Sequence, residues 1–221
     1  MSPIIVTSIL NGLVVTLQVI GLALLVAAPL SLVAALGRIS RHRALRAVAT
    51  VYVEFLRGTS ALVQLFWAFY VLPELGFTFP PFGVEVVVLG LNASAYGAEV
   101  VRGAVQAVPQ AQWEVAQMLG LRRTTTMWRI ILPQAMPIAL PGLGNIAIDV
   151  MKASALVSLV TVSDFTREIT RWATSGNLNV TAAFSILLIG YLLISLPLTG
   201  TFRLIEWRAG RFLPGRQGVK P

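Results

Sequence analysis

The sequence predicts an all-α polytopic membrane protein with five transmembrane helices. Three observations carry that prediction. The 221-residue chain is 56 % hydrophobic and only 12 % charged, about half the charged share of an ordinary soluble domain. Its first 37 residues hold no charged side chain, well beyond the ~20 apolar residues that cross a bilayer. The arginines then recur at alternate ends of the apolar runs.

In chain order, spans are expected at roughly 10–36, 50–72, 84–106, 137–160 and 181–203. The opening apolar run outlasts a signal peptide and is not followed by a small-residue cleavage site and a soluble domain, so it is expected to remain as a helix. Arg38, Arg41, Arg43 and Arg46 follow the first span. Arg102, Arg122, Arg123 and Arg129 end and follow the third, and Arg203, Arg208, Arg211, Arg216 and Lys220 follow the fifth. These are 13 of the 17 basic residues, whereas residues 73–83 have none. The positive-inside rule puts the basic ends in the cytoplasm. The N-terminus is then outside and the C-terminus inside, which requires an odd number of spans.

Two regions resist a simple span. Residues 130–163 carry only Asp149 and Lys152 as charges, and a straight helix of that length would reach about 50 Å. Pro133, Pro137 and Pro141, then Gly142 and Gly144, predict a bent approach over 133–141 with the span following it. Residues 161–180 are polar and read as an outside loop with a short surface helix. The closing PGRQGVKP reads as a frayed tail.

Several function classes drop out. Without cysteine there is no thiol or disulfide chemistry, and the single histidine, His42, lies among arginines. A zinc site needs several such ligands, so no metal is expected. A P-loop needs a lysine after glycine and before Ser or Thr. Lys152 follows Met151 and Lys220 follows Val219, so this chain is expected to bind no nucleotide. The net charge of +8 follows membrane sidedness, so a nucleic-acid partner is not expected, and the lipid bilayer is.

The segment EVAQMLGLRRTTTMWRIILP, residues 114–133, stands apart between two apolar regions. Pro109 fits the first turn of a helix, and Gly120 fits its left-handed end. Ala111, Val115, Met118 and Leu119 fall on one face, with Gln110, Glu114 and Gln117 on another. A second short helix is expected from about Thr125 to Leu132. The periodicity fits a helix lying on lipid as well as one docking on a partner.

Glu114, Ala116, Gly120, Ile130, Leu132 and Pro133 match the spacing E-A-A-x3-G-x9-I-x-L-P, with Val115 departing at the second position. This resembles the loop signature of the membrane subunits of bacterial binding-protein-dependent ABC importers. The resemblance implies an ABC type I importer membrane domain spanning residues 1–221. Its coupling loop at 107–133 would dock a coupling helix on an ABC ATP-binding subunit dimer. It further implies that ATP and Mg sit on that ATPase, that this chain is not itself an enzyme, and that an extracytoplasmic solute-binding protein delivers the solute. Five spans are few for an enclosed path, so a second permease subunit, identical or homologous, is expected at a two-fold interface.

The stretches YVEFLRGTSALVQLF, AYGAEVVRGAVQAVPQAQWE and MKASALVSLVTV look like the polar amino acid permease branch of the bacterial inner membrane. RGTS, AQWEVA and KASALVS stand where that branch usually shows R-G-T-P, G-Q-W-E-A-A and K-D-T-S-L-V-S. The last departure removes an acidic side chain beside Lys152. Besides a polar amino acid, it leaves open a zwitterionic compatible solute such as ectoine, some of whose permeases show a similar K-A-S-A stretch.

Charges within spans are costly and rarely face lipid. Asp149 and Lys152 share a helix face. Lys152 is a candidate for a solute carboxylate or a partner subunit, set against a self-balancing pair with Asp149. Ser154, Ser158 and Gln64 are uncharged candidates for the solute path, or for hydrogen bonds between helices. Glu54 with Arg57 and Glu99 with Arg102 repeat the three-residue spacing and are expected to be structural ion pairs. The rival reading is a secondary transporter or channel working without an ATPase. It would favour inverted repeats, and none is evident.

Overall fold

A computed structural model describes residues 3–160 and 162–210. Arg211, Arg216 and Lys220, counted above with the cytoplasmic side, lie outside the described residues, as does the PGRQGVKP tail. Among the described residues every regular element is a helix. The order is α1 (Pro3–Ile39), α2 (Arg43–Gly58), α3 (Ala61–Glu74), α4 (Pro81–Ala107), α5 (Gln110–Met118), α6 (Arg123–Ser154), a 3-10 turn (Ala155–Val160), α7 (Phe165–Thr174) and α8 (Val180–Gly210). Helices α1, α4, α6 and α8 are long and apolar enough to cross a bilayer, and α2 with α3 makes a fifth span if the bent pair counts as one.

Helix α4 is the centre of the bundle, with 61 % of its most apolar window buried, against 17 % for α8. Small residues let the neighbours approach it. A β-carbon on Gly97 would collide with the Ser31 side chain of α1, and one on Gly142 of α6 would lie 2.7 Å from Val100. Close backbone approach of this kind is how membrane helices gain packing without a solvent-driven term. Gly97→Leu is therefore expected to cost about 1–3 kcal/mol through overpacking. Thermal unfolding in detergent should read this as a clear drop in melting temperature, and an unchanged melting temperature would rule out the tight α1–α4 seam.

The second span differs from the single helix expected over 50–72. α2 and α3 meet at 100°, because Thr59 and Ser60 are extended. Breaking a helix orphans carbonyls, and side chains take them up here. Gln64 Nε2 donates to the Leu56 carbonyl at 2.9 Å and Asn92 Nδ2 to the same oxygen at 3.1 Å. Thr59 Oγ1 donates to the Phe55 carbonyl at 2.9 Å. Helix α2 buries Ala49, Val53 and Leu56 while Leu45, Val48, Val51 and Phe55 stay exposed.

The fourth span also departs from expectation. The prolines do not interrupt it at 133–141, and the helix runs through them from Arg123 to Ser154. A π turn at Met127–Ile131 precedes Pro133, just as one at Trp67–Val71 precedes Pro73. A proline ring in an α-helix clashes with the carbonyl four residues earlier. The wider π turn holds that carbonyl in both cases. Gln134 Nε2 donates to the Ile130 carbonyl at 2.9 Å. The helix instead ends early, so residues 155–160 are a 3-10 turn rather than the last turns of a span.

The short helix expected on the surface between 161 and 180 is instead packed into the bundle. Phe165 and Ile169 of α7 are buried against α1 and α8. Asp164 caps α7 by accepting from the Arg167 N–H at 2.8 Å. The Phe165 N–H donates to Thr16 Oγ1 of α1 at 3.0 Å.

Candidate coupling helix and solute cavity

Helix α5 projects from the basic end of the bundle. Buried Ala116 and Val108 hold it to the body, and Arg123 stacks over the Trp113 ring at 5.8 Å. It closes with both bonds of a Schellman cap. The Leu121 N–H donates to the Ala116 carbonyl at 3.0 Å and the Gly120 N–H to the Gln117 carbonyl at 2.9 Å. Gly120 sits at φ +69°, a backbone region that only residues without a Cβ enter freely. The outer side is left unfilled. Val115, Met118 and Leu119 are 54 %, 85 % and 71 % exposed, and Glu114 is exposed beside them. Of the remaining loop residues, Leu132 is buried, Ile130 half-buried and Pro133 exposed.

An ion cluster joins α1, α2 and α4. Glu99 of α4 contacts Arg38 of α1, and its Oε2 lies 2.8 Å from Arg102 Nη2. Arg38 also reaches Glu54 of α2 at 3.1 Å, and Arg102 donates to Gln106 Oε1 at 2.9 Å. The expected Glu99–Arg102 pair is present. The expected Glu54–Arg57 pair is not, because Arg38 takes the Glu54 carboxylate and Arg57 stacks over the Tyr96 ring at 5.4 Å. Helical spacing brought Glu54 and Arg57 to one face, but a longer-range partner won.

Between α4 and α6 is a cavity of about 290 Å³. Leu89, Ala93, Ile146 and Val150 form apolar walls, and Asn92, Tyr96 and Asp149 supply polar groups. Asp149 Oδ1 lies 3.7 Å from Lys152 Nζ, with the two side chains 73 % and 67 % exposed. The other solute-path candidates turn inward to the protein. Ser154 is buried and donates to the Met151 carbonyl at 2.7 Å, and Ser158 donates to the Ala155 carbonyl at 3.1 Å. Gln64 is occupied at the α2–α3 elbow, where it also donates to Thr59 Oγ1 at 2.6 Å. Sequence reasoning missed Arg38 as a cluster member, and Asn92 and Tyr96 as cavity groups. Residues 92, 96 and 99 recur at helical spacing along α4 as a polar stripe, a signal that could have found the last two.

The long apolar helices can cross a membrane, and an exposed amphipathic helix stands at their basic end. The chain belongs to the family described as the binding-protein-dependent transport system inner membrane component, whose model matches residues 27–211. It is 36 % identical over 212 residues to the probable amino-acid ABC transporter permease protein y4tF of Sinorhizobium fredii (strain NBRC 101917 / NGR234), covering 91 % of this chain and 89 % of that one. It is 37 % identical over 158 residues to the L-cystine transport system permease protein TcyB of Bacillus subtilis (strain 168), covering 72 % and 68 %. In a crystal structure of an amino acid ABC transporter with histidines, one chain superposes with a TM-score of 0.84 at 33 % identity, covering 92 % and 94 %. A MetNI methionine ABC transporter chain in an inward-facing conformation shares the fold, at 16 % identity and a TM-score of 0.79.

This chain is thus a non-catalytic permease subunit of an ABC importer in the inner membrane. It works with an ATPase, where ATP is hydrolysed, and with a substrate-binding protein.

Proposed function

We propose that the chain translocates a polar amino acid or a related zwitterion, with ectoine among the candidates, past the cavity between α4 and α6. The observation that carries this reading is the Asp149–Lys152 pair, held at 3.7 Å yet largely exposed in the single chain. Such a pair facing lipid is costly, so it faces a water-filled path or a second permease subunit. Its two charges complement the ammonium and carboxylate of a zwitterion, with Asn92 and Tyr96 orienting the solute. The amino-acid permeases among the relatives support the same class.

In this reading α5 and the loop 107–133 form the joint to the ATPase. Val115, Met118 and Leu119 fill a groove on it, and Glu114 makes a polar contact at the rim. This chain binds no cofactor, and ATP and Mg are held by the partner. Two permease subunits, identical or homologous, enclose the path. The N-terminus lies outside and the C-terminus in the cytoplasm, as the arginine distribution supports.

The test is uptake by vesicles holding this chain, its permease partner, the ATPase and the binding protein, with labelled polar amino acids and ectoine. Wild type should accumulate one solute only with ATP. Asp149→Asn should lower that uptake roughly tenfold or more, the loss of one charge-assisted contact of about 1.5–3 kcal/mol. Wild-type uptake by the variant would remove Asp149 from the path, and accumulation without the ATPase would overturn the coupling role of α5.

A further inference from the structure

We infer that the basic end of the bundle carries a pocket for the phosphate of an anionic phospholipid, set between the α1–α2 turn and the start of α6. The pocket has a volume of about 310 Å³, at the lower end of small-ligand sites, about 300–1,000 Å³. Arg41, His42 and Arg123 line it, and no lining residue is acidic. Ser40 and Thr124 add hydroxyls. The Ser40 oxygen accepts from the His42 N–H at 3.2 Å, which leaves its own O–H free to donate. Two guanidinium groups, an imidazole and two hydroxyls are the donor set that phosphate oxygens require.

Among the described residues these charges meet no carboxylate, and Arg123 has only the Trp113 ring. Arg41, Arg43, Arg46, Arg122, Arg123 and Arg129 have no acidic partner among the described residues. Six uncompensated cations at one end of a membrane protein call for an external anion.

The surroundings choose lipid over a soluble anion. The floor is apolar, built from Leu36 and Met127 of the long helices. Trp128 lines one wall and is 55 % exposed, the placement of an interfacial aromatic. Leu45 lines the other wall and begins the exposed row Leu45, Val48, Val51 and Phe55 along α2. Arg43 and Arg46 mark the headgroup end of α2, and the open apolar row runs from there toward the hydrocarbon. A phospholipid satisfies both features at once, with its phosphate on Arg41 and Arg123 and its acyl chain along Leu45 and Phe55. Arg41 and Arg123 also border Trp113 and Gln117 of α5, but Val115, Met118 and Leu119, the proposed ATPase contact, line neither hollow.

The test is a titration of the full purified, delipidated chain with dioleoyl-phosphatidylglycerol or dioleoyl-phosphatidylcholine, read by native mass spectrometry. One retained phosphatidylglycerol per chain is expected, with phosphatidylcholine bound roughly tenfold more weakly, given about 1 kcal/mol per basic side chain near an anionic headgroup. Arg41→Gln with Arg123→Gln should weaken phosphatidylglycerol by roughly tenfold or more on the same scale. Arg41→Lys should restore most of the binding lost by Arg41→Gln. Arg203→Gln with Arg208→Gln, on α8, should change nothing. Equal retention of the two lipids, or of phosphatidylglycerol by wild type and the double glutamine variant, would overturn the site. Displacement by inorganic phosphate would reassign it to a free anion, and displacement by the purified ATPase would make it a protein contact. Either outcome sinks the lipid assignment.

Discussion

Replacing Gly120 by valine is expected to stop ATP-driven accumulation while the permease still inserts and folds. The effect is backbone strain alone, because a β-carbon there meets nothing within 4 Å. At φ +69° an L-residue costs about 1–2 kcal/mol, and a β-branched one more. That strain falls on the two bonds closing α5, Leu121 N–H to Ala116 and Gly120 N–H to Gln117. A penalty of this size displaces the end of α5 from its capped position roughly tenfold more often, and the exposed Met118 and Leu119 move with it. Gly120→Asn separates strain from side-chain bulk, since asparagine tolerates the left-handed region. The asparagine variant should keep most uptake and the valine variant should lose it, at equal membrane levels. Wild-type uptake by the valine variant would show that α5 does not transmit the ATPase stroke.

The second large effect is expected at Glu99. Glu99→Gln leaves Arg38 and Arg102 facing each other with only the more exposed Glu54 as counterion. The Arg38, Glu99 and Arg102 side chains are 15 %, 21 % and 29 % exposed, so the cluster lies between the surface and buried limits. A loss of about 1–3 kcal/mol is expected, above the 0–1 of a surface pair and below the 3–5 of a fully buried one. Glu54→Gln is the internal comparison. Its side chain is 56 % exposed, so it should cost about 0–1 kcal/mol. Thermal unfolding of both variants in one detergent decides the matter. Equal melting temperatures for the two would mean that Glu99 does not tie α1 to α4.

The spans α1, α4 and α8 were legible because their apolar runs exceed what a bilayer needs, and no local rule competes with that signal. The elbow between α2 and α3 was hidden. Gly58-Thr59-Ser60 interrupts no periodicity, and the donors that stabilise the break, Gln64 and Asn92, come from later in the chain. The prolines of α6 misled for the opposite reason. Their local preference is to break a helix, yet the π turn accommodates Pro133 and the helix continues through Pro137 and Pro141. At the cavity, Asp149 and Lys152 were visible as charges in an apolar run. Asn92 and Tyr96 looked like ordinary polar residues until α6 was placed against α4. Glu54 and Arg57 show the limit of spacing rules, which name neighbours on one helix but not the stronger partner on another.

The two π turns also set a length requirement. Each holds one residue more than an α-helix needs, so the chain before it is out of phase with the chain after it by about 100°, one residue's rotation. A deletion of one residue between Met127 and Ile131 would remove that offset. It would leave the composition of α6 nearly unchanged, yet swing Arg123 and the α5 helix behind it about a quarter-turn around the bundle. In this stretch the count of residues fixes the direction in which α5 points, so substitutions should be tolerated there far better than insertions or deletions.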